Sequence, residues 1–482
     1  AQHLRYKAGF WVPFRFRQQI YRTWEETDMV KTNKSDWGSQ DNIVLTLIRF
    51  SLPLILSGIL QQLYNWADAF IVGNVDGEVA LGAIGSTTTV INFYIMVITG
   101  FTLGLSILFA HRFGSNDMEA IPKILASFSL VFTIIFVLFS ISGIYLAPWL
   151  LRLLNTTPET FEMAADYLRI IFIGLPFLAV YNVYSAALRG IGDSRTPFLA
   201  ILLSSAVNVV LDIIFVAALD LNVSGAAAAT VFSQIAMAVF LVLYSARKYA
   251  ILRFPLRREF LFNKTALLQG ARLGLPPMVQ SSVTACGNLV LQNFMNGFGT
   301  QTVTAITTAY RVDSIALLPI INLGSGISTM TAQSWGAGEK ARGKKILIVG
   351  SIMMAAVALV LTITIVPAGS SLIAAFGAGP EAVKIGRDFF RSLSSFYLIY
   401  GLATSLRSYL EGTGDVVYSS ASGILSLAVR IGASYAFVLF FGNMVIAYAE
   451  GFSWCALLSL YVFRMVWKRK ELAISKTSRQ SS

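Results

Sequence analysis

Between residues 44 and 467 the chain is a nearly continuous series of apolar runs, separated by short clusters of glycine, proline and charge. Twelve runs can be marked off, at about 44–73, 79–110, 122–150, 162–188, 196–219, 222–246, 265–297, 302–334, 344–376, 383–410, 417–441 and 443–467. A helix crosses the hydrocarbon core of a bilayer with about 20 apolar residues, and every run is long enough. A barrel strand would need only about 10 residues and would alternate polar with apolar, which these runs do not. The expected fold is therefore all-α: a polytopic membrane protein with twelve transmembrane helices. Composition excludes the soluble alternative, since 13% of the 482 residues are charged where soluble domains carry roughly 25%.

The net charge of +12 raises the question of a nucleic-acid partner, which the placement of the charges answers. Taking alternate connections as one side, that side holds Arg5, Lys7, Arg15, Arg17, Arg22, Lys31 and Lys34, the connection Arg247 to Lys264, the connection Lys340 to Lys345, and the tail from Arg464. The other side has little beyond Arg152 and Lys384. By the positive-inside rule both termini and the central connection are expected in the cytoplasm, so the charge reports topology and no nucleic acid is expected. Cys286 and Cys455 lie inside apolar runs and give no disulfide framework, and His3 and His111 cannot build a histidine metal site. Residues 1–43 show no cleavable signal; their rings and cations, from Phe10 to Arg17 with Tyr21 and Trp24, suit either a headgroup-level segment or a solvated tail.

The sequence also repeats itself at an offset of 222 residues. Ala83-Ile84 matches Ala305-Ile306, Gly104-x-Ser106 matches Gly326-x-Ser328, Phe113-Gly114 lies over Trp335-Gly336, and Leu188-x-Gly190-x-Gly192-Asp193 lies over Leu410-x-Gly412-x-Gly414-Asp415. Pro53 answers Pro276 with one residue of slippage. Six spans per half is an even number, so the halves enter the membrane in the same direction. This parallel repeat places substrate between two six-helix lobes. The expected organisation is a cytoplasmic segment 1–43, an N-lobe 44–246, a cytoplasmic linker 247–264, a C-lobe 265–467 and a cytoplasmic tail 468–482. The Gly-x-Gly-Asp tracts lack the strand and third glycine of a dinucleotide loop. They are expected as tight turns in which Gly takes positive φ and Asp bonds its own backbone.

An ionisable side chain in hydrocarbon costs from about 2.5 kcal/mol upward, so each one is a functional candidate. Asp68 lies in the first span, Asn208 and Asp212 lie four apart on one face of the fifth, and Thr230 lies in the sixth. Counted from the span ends at 1.5 Å per residue, Asp68, Asp212 and Thr230 fall roughly 9–12 Å below the outer surface. Two carboxylates, an amide and a hydroxyl at one depth make an oxygen-rich site for a proton or a small hard cation, with a structural hydrogen-bond cluster as the plainer reading. In the C-lobe the 222 offset turns Asn208 into Arg430 and Asp212 into Ser434. There Arg311, Asp313, Arg391 and Arg430 are expected to form a polar network in which Asp313 neutralises Arg430 or a neighbouring Arg, serving either rigidity or anionic substrate groups. Gln61, Asn182 and Tyr184 are candidates for the substrate cavity.

Phe50-Ser51-Leu52-Pro53, the run Asn65-Trp66-Ala67-Asp68-Ala69-Phe70-Ile71-Val72-Gly73, and Leu188-Arg189-Gly190-Ile191-Gly192-Asp193-Ser194-Arg195-Thr196-Pro197, taken with twelve spans and a two-fold repeat, resemble the multidrug and toxic compound extrusion (MATE) family, in its DNA-damage-inducible-type branch. The resemblance implies an antiporter, not an enzyme, in the plasma (inner) membrane. Small amphipathic, often cationic, compounds would be exported by alternating access, coupled to H+ or Na+ and with no cofactor. It implies a cation site at Asp68, Asn208, Asp212 and Thr230, adds Tyr167 to it, and makes Pro53 a hinge at which the first helix bends. The chain is expected to act as a monomer. No acid stands in the seventh span, so a C-lobe sodium site of the kind another branch uses is not expected. A lipid-linked saccharide flippase of the same superfamily is the alternative; an intramembrane enzyme lacks any histidine cluster or nucleophile motif to support it.

Overall fold

A computed structural model describes residues 42–255, 258–377 and 379–480; the aromatic and basic stretch before residue 42 lies outside the described residues. Six helices form the first half: α1 (Ile43–Val75), α2 (Gly77–Gly114), α3 (Ala120–Leu153), α4 (Pro158–Gly190), α5 (Arg195–Asp212, continued by a π-helical turn Ile213–Ala218) and α6 (Asn222–Lys248). The connection that follows holds a 3₁₀ turn, Ala250–Leu252, and a one-turn helix, Arg258–Leu261. The second half comprises α7 (Lys264–Asn296), α8 in two pieces (Thr300–Ala316 and Leu318–Gly336), α9 (Lys340–Ala375), α10 in two pieces (Pro380–Ser394 and Tyr397–Gly412), α11 (Val416–Ala436) and α12 (Val445–Gln480).

No strand occurs among the described residues, and the architecture is twelve transmembrane helices in two six-helix lobes. Ten segments satisfy length and apolarity by themselves. The other two are α7, which carries Lys264, Arg272 and many amides and hydroxyls, and α10, which is interrupted at Ser395 and Phe396.

The repeat is visible in the backbone as well as in the letters. Left-handed φ occurs at Gly77 and Gly299, Asn116 and Gly338, Asn155 and Gly377, Gly192 and Gly414, and Asp220 and Gly442. Every pair is 222 residues apart. Only Gly adopts this conformation without cost, with Asn and Asp the next most tolerant residues, so the same turn is built at five matching connections. Helix starts repeat too, with Pro158 and Pro380 each at the first position of a helix, where a missing N–H costs nothing.

Small residues set how the helices meet, since in lipid close backbone approach replaces hydrophobic collapse as the driving force. A side chain at Gly104 would strike the backbone of Leu273 and Gly274 on α7, and one at Gly326 would strike Ser51 on α1. Gly114 faces the Gln333 carbonyl while Gly336 faces the His111 carbonyl, so the ends of α2 and α8 cross reciprocally. Within each lobe Gly190 lies against Phe109 and Ala110, and Gly412 against Ser328 and Thr331.

The Gly-x-Gly-Asp tracts are the expected turns. Gly192 has φ +99° and Gly414 φ +88°, and Asp193 Oδ1 accepts from the backbone N–H groups of Arg195 and Thr196, each at 3.0 Å. Both aspartates also clamp the end of a sixth helix. Asp193 meets Lys248 at 2.9 Å, and Asp415 meets Arg464 and Lys468, each at 2.8 Å.

Candidate functional site

Asp68 lies near the far end of α1 and is 9% exposed, Asn208 on α5 is 1% exposed, and Asp212 is fully buried where the α-helical part of α5 ends. The chain leaves Asp212 through the π-turn, whose extra residue per turn re-aims the helix. A side chain at Gly225 of α6 would touch the Phe215 carbonyl at 3.1 Å, so α6 packs directly on that turn.

The two carboxyl groups are close enough to interact electrostatically, and both interact with the phenols of Tyr64 and Tyr167. Tyr94 of α2 joins Tyr167 and Tyr64. Tyr167 also belongs to an apolar cluster with Val72, Ala80, Ile171, Val216, Val223, Ala226 and Ala227.

One oxygen of Asp68, both oxygens of Asp212, and both polar atoms of the Asn208 amide are buried without a hydrogen-bond partner. An unpaired buried polar group costs about 1–3 kcal/mol, more when charged. Four of these atoms are oxygens, suited to a hard cation or protons, and the fifth is the Asn208 amide nitrogen, which can only donate. Asp68, Asp212 and Tyr167 lie within electrostatic range of one another, and Asn208 is one turn before Asp212 on the same helix. Thr230 stands half-buried on α6, one turn past Ala226 and Ala227, and its hydroxyl bonds none of the three polar side chains. Tyr64 and Tyr94 were not expected; Tyr64 does carry a signal, lying one helical turn before Asp68 on the same face.

Pro53 sits within an unbroken α1, with the Ser57 hydroxyl donating to its carbonyl at 2.8 Å. The cavity candidates do not come together. Gln61 is exposed, the Asn182 amide donates to the Leu178 carbonyl of its own helix at 2.8 Å, and Tyr184 is packed in the N-lobe core.

The C-lobe network differs from expectation in its members. Arg430 pairs with Glu450 at 3.0 Å and with the Tyr310 hydroxyl at 2.9 Å, and that hydroxyl donates to Glu450 at 2.9 Å. Asp313 is instead the acceptor of the Tyr397 hydroxyl, within electrostatic range of Arg430 and Glu450. The direct counter-ion is thus Glu450 of α12, while α8 meets Arg430 through Tyr310 rather than through Asp313, which is spent on Tyr397. Arg311 and Arg391 are exposed and outside the network. Arg311 is two residues from Asp313, about 200° around the helix, and cannot share its face.

A second polar centre lies at the other end of the C-lobe. Arg407 and Glu411, one turn apart on α10, pair at 2.7 Å beside a cavity of about 180 Å³ to which Leu103 of α2 also contributes. The sequence reading did not single these two out.

Duplicated apolar helices, an oxygen-lined pocket inside one lobe and a cavity in the other describe a secondary transporter rather than an enzyme. The chain belongs to the MatE family, whose model matches residues 53–214 and again 276–436, once in each lobe. It is similar to the probable multidrug resistance protein YpnP of Bacillus subtilis (strain 168), 28% identical over 443 residues that cover 91% of this chain and 99% of the relative. It is also similar to the multidrug export protein MepA of Staphylococcus haemolyticus (strain JCSC1435), at 22% identity over 91% of this chain and 97% of the relative. Among solved structures, a MATE crystal structure in the bent conformation matches with TM-score 0.83, covering 94% of this chain and 99% of that one at 22% identity. At that identity the match speaks for the fold alone.

Proposed function

We propose that this protein exports amphipathic organic compounds by alternating access of its two lobes, driven by entry of H+ or Na+ at the Asp68, Asn208 and Asp212 pocket. The observation that carries this reading is the set of buried, unpartnered polar atoms held by α1 and α5. A fixed cluster would have satisfied them; an exchangeable ion satisfies them only part of the time. The end bearing Lys248, Arg464 and Lys468 is assigned to the cytoplasm, with the lobes at residues 44–246 and 265–467 and the chain acting as a monomer in the plasma membrane. Loading of the pocket would move α1, and Pro53, which removes one backbone hydrogen bond from that helix, is the assigned hinge. The names of the relatives favour drug export over a saccharide flippase.

The test is ethidium efflux from proteoliposomes under separately imposed proton and sodium gradients. Wild-type protein is expected to pump under at least one gradient, and Asp68→Asn to lower the driven rate at least tenfold. Unchanged driven efflux in that variant would remove the mechanism.

A further inference from the structure

We propose that the C-lobe cavity beside Arg407 is a subsite for the carboxylate of an aromatic, acid-bearing cargo. The proposal rests on the export reading only for what the cavity is used for. Its chemistry stands on the ion pair itself. Arg407 spends its Nε–H on Glu411 at 2.7 Å and one further N–H on the Gln280 side-chain carbonyl of α7 at 3.1 Å. A guanidinium carries five N–H donors in a planar fork, so donors are left over for a ligand.

The two partners are presented unequally. The Glu411 side chain is 4% exposed and the Arg407 side chain 30%, and the same Glu411 oxygen also accepts from the Ser419 hydroxyl at 2.8 Å. Both partners line the cavity, but the carboxylate is the more deeply buried and the cation the more accessible of the two. Gln280 is held in place from the other side, because its amide fills the space where Gly423 has no side chain. The remaining wall combines Tyr400 and Tyr461 with hydroxyl residues such as Ser408 and Ser328 and with the aliphatic Leu103, Ile321 and Leu457. Aromatic faces, a few hydroxyls and one presented guanidinium match an aromatic carboxylate.

Size narrows the assignment. At about 180 Å³ the cavity is smaller than the roughly 300–1,000 Å³ that encloses a whole drug-sized ligand, so it takes the acid-bearing end of a cargo. The feature belongs to one lobe: 222 residues earlier, Arg407, Glu411, Tyr400 and Tyr461 correspond to Ser185, Arg189, Leu178 and Val239, and no Arg–Glu pair is available there. It is also separate from the Asp68 pocket, which shares none of these residues.

The test measures binding without any gradient. Dansylglycine and its methyl ester share one fluorophore and differ in a single charge, and each is titrated onto the full-length protein in nanodiscs, with empty nanodiscs subtracted. Wild type is expected to bind the acid about tenfold more tightly than the ester, the range of a charge-assisted hydrogen-bonded pair. Arg407→Lys keeps the charge without the fork and should lose most of that preference. The charge-neutral double variant Arg407→Gln/Glu411→Gln should bind acid and ester alike. Equal binding of acid and ester by wild type, which needs no variant to fold, overturns the proposal; so does a preference that survives in the double variant. Equal binding alongside intact ion-driven ethidium efflux sinks the subsite alone. A clear acid preference in a protein that pumps ethidium under neither gradient sinks the export reading and supports the subsite.

Discussion

Asp212 is poorly accommodated in the fold, with neither oxygen bonded and no exposure to water. Replacing it by Asn removes a buried charge without breaking any hydrogen bond. Asp212→Asn should therefore melt no lower than wild type in detergent while driven ethidium efflux falls at least tenfold. A large drop in melting temperature would mean that the carboxylate is structural. The opposite holds at Glu450, whose loss strands a buried guanidinium. Glu450→Gln should destabilise by about 3–5 kcal/mol, whereas replacing Arg430 and Glu450 together by methionine should cost far less or even stabilise, as read from denaturation midpoints of the three proteins. The acids of the N-lobe were legible in the sequence because a carboxylate inside an apolar run stands out by composition. The partner of Arg430 was not, since Asp313 and Glu450 stand out equally and only packing decides which helix faces α11. Arg407 and Glu411 carry an ordinary i,i+4 spacing but stand at the end of a run, where charge looks like headgroup chemistry.

The helices were legible as elements because their length and apolarity are one-dimensional properties. Their interruptions were less so: Pro319 stands at the start of the second piece of α8 and marks that break, but no proline or glycine marks the π-turn after Asp212 or the break at Ser395 and Phe396 in α10. The crossings are more predictable, because glycine marks them. The reciprocal contact of Gly114 with the Gln333 carbonyl and of Gly336 with the His111 carbonyl is one joint made twice. Gly114→Ala and Gly336→Ala should each cost about 1–3 kcal/mol through overpacking. Because either one already parts the same two helices, the double variant should cost less than the sum. Melting curves of the two single variants and the double variant decide this, and strict additivity would show that the two contacts are independent.

For the molecule as a whole, the repeat was the most informative thing in the sequence, and it foretold the two Gly-x-Gly-Asp turns. The paired clamps at those turns, outside the spans, came only from the structure. At Asp193 burial pushes the carboxyl up, but hydrogen bonds from Thr196 and Lys248 outweigh it and hold it below the ordinary carboxylate range; at Asp415 the bonds from Arg464 and Lys468 do the same. A carboxylate whose folded value is depressed stabilises the fold fully above its unfolded value, about 3.9, and loses that contribution as pH falls through the lower folded value. The melting-temperature gap between wild type and Asp193→Asn should thus stay constant from pH 8 to about 5 and close in stronger acid. A gap that closes near neutrality would contradict the assignment of the clamp.

Duplication usually suggests two copies of the same working part. Here the position that Asn208 holds in one half is taken in the other by Arg430, a positive charge covalently tied to the chain and already matched to Glu450. A charge on a tether cannot depart at one face and return at the other. On the proposed function, then, only the position in the first half is free to turn over, while the matching position in the second is held by its own counter-ion.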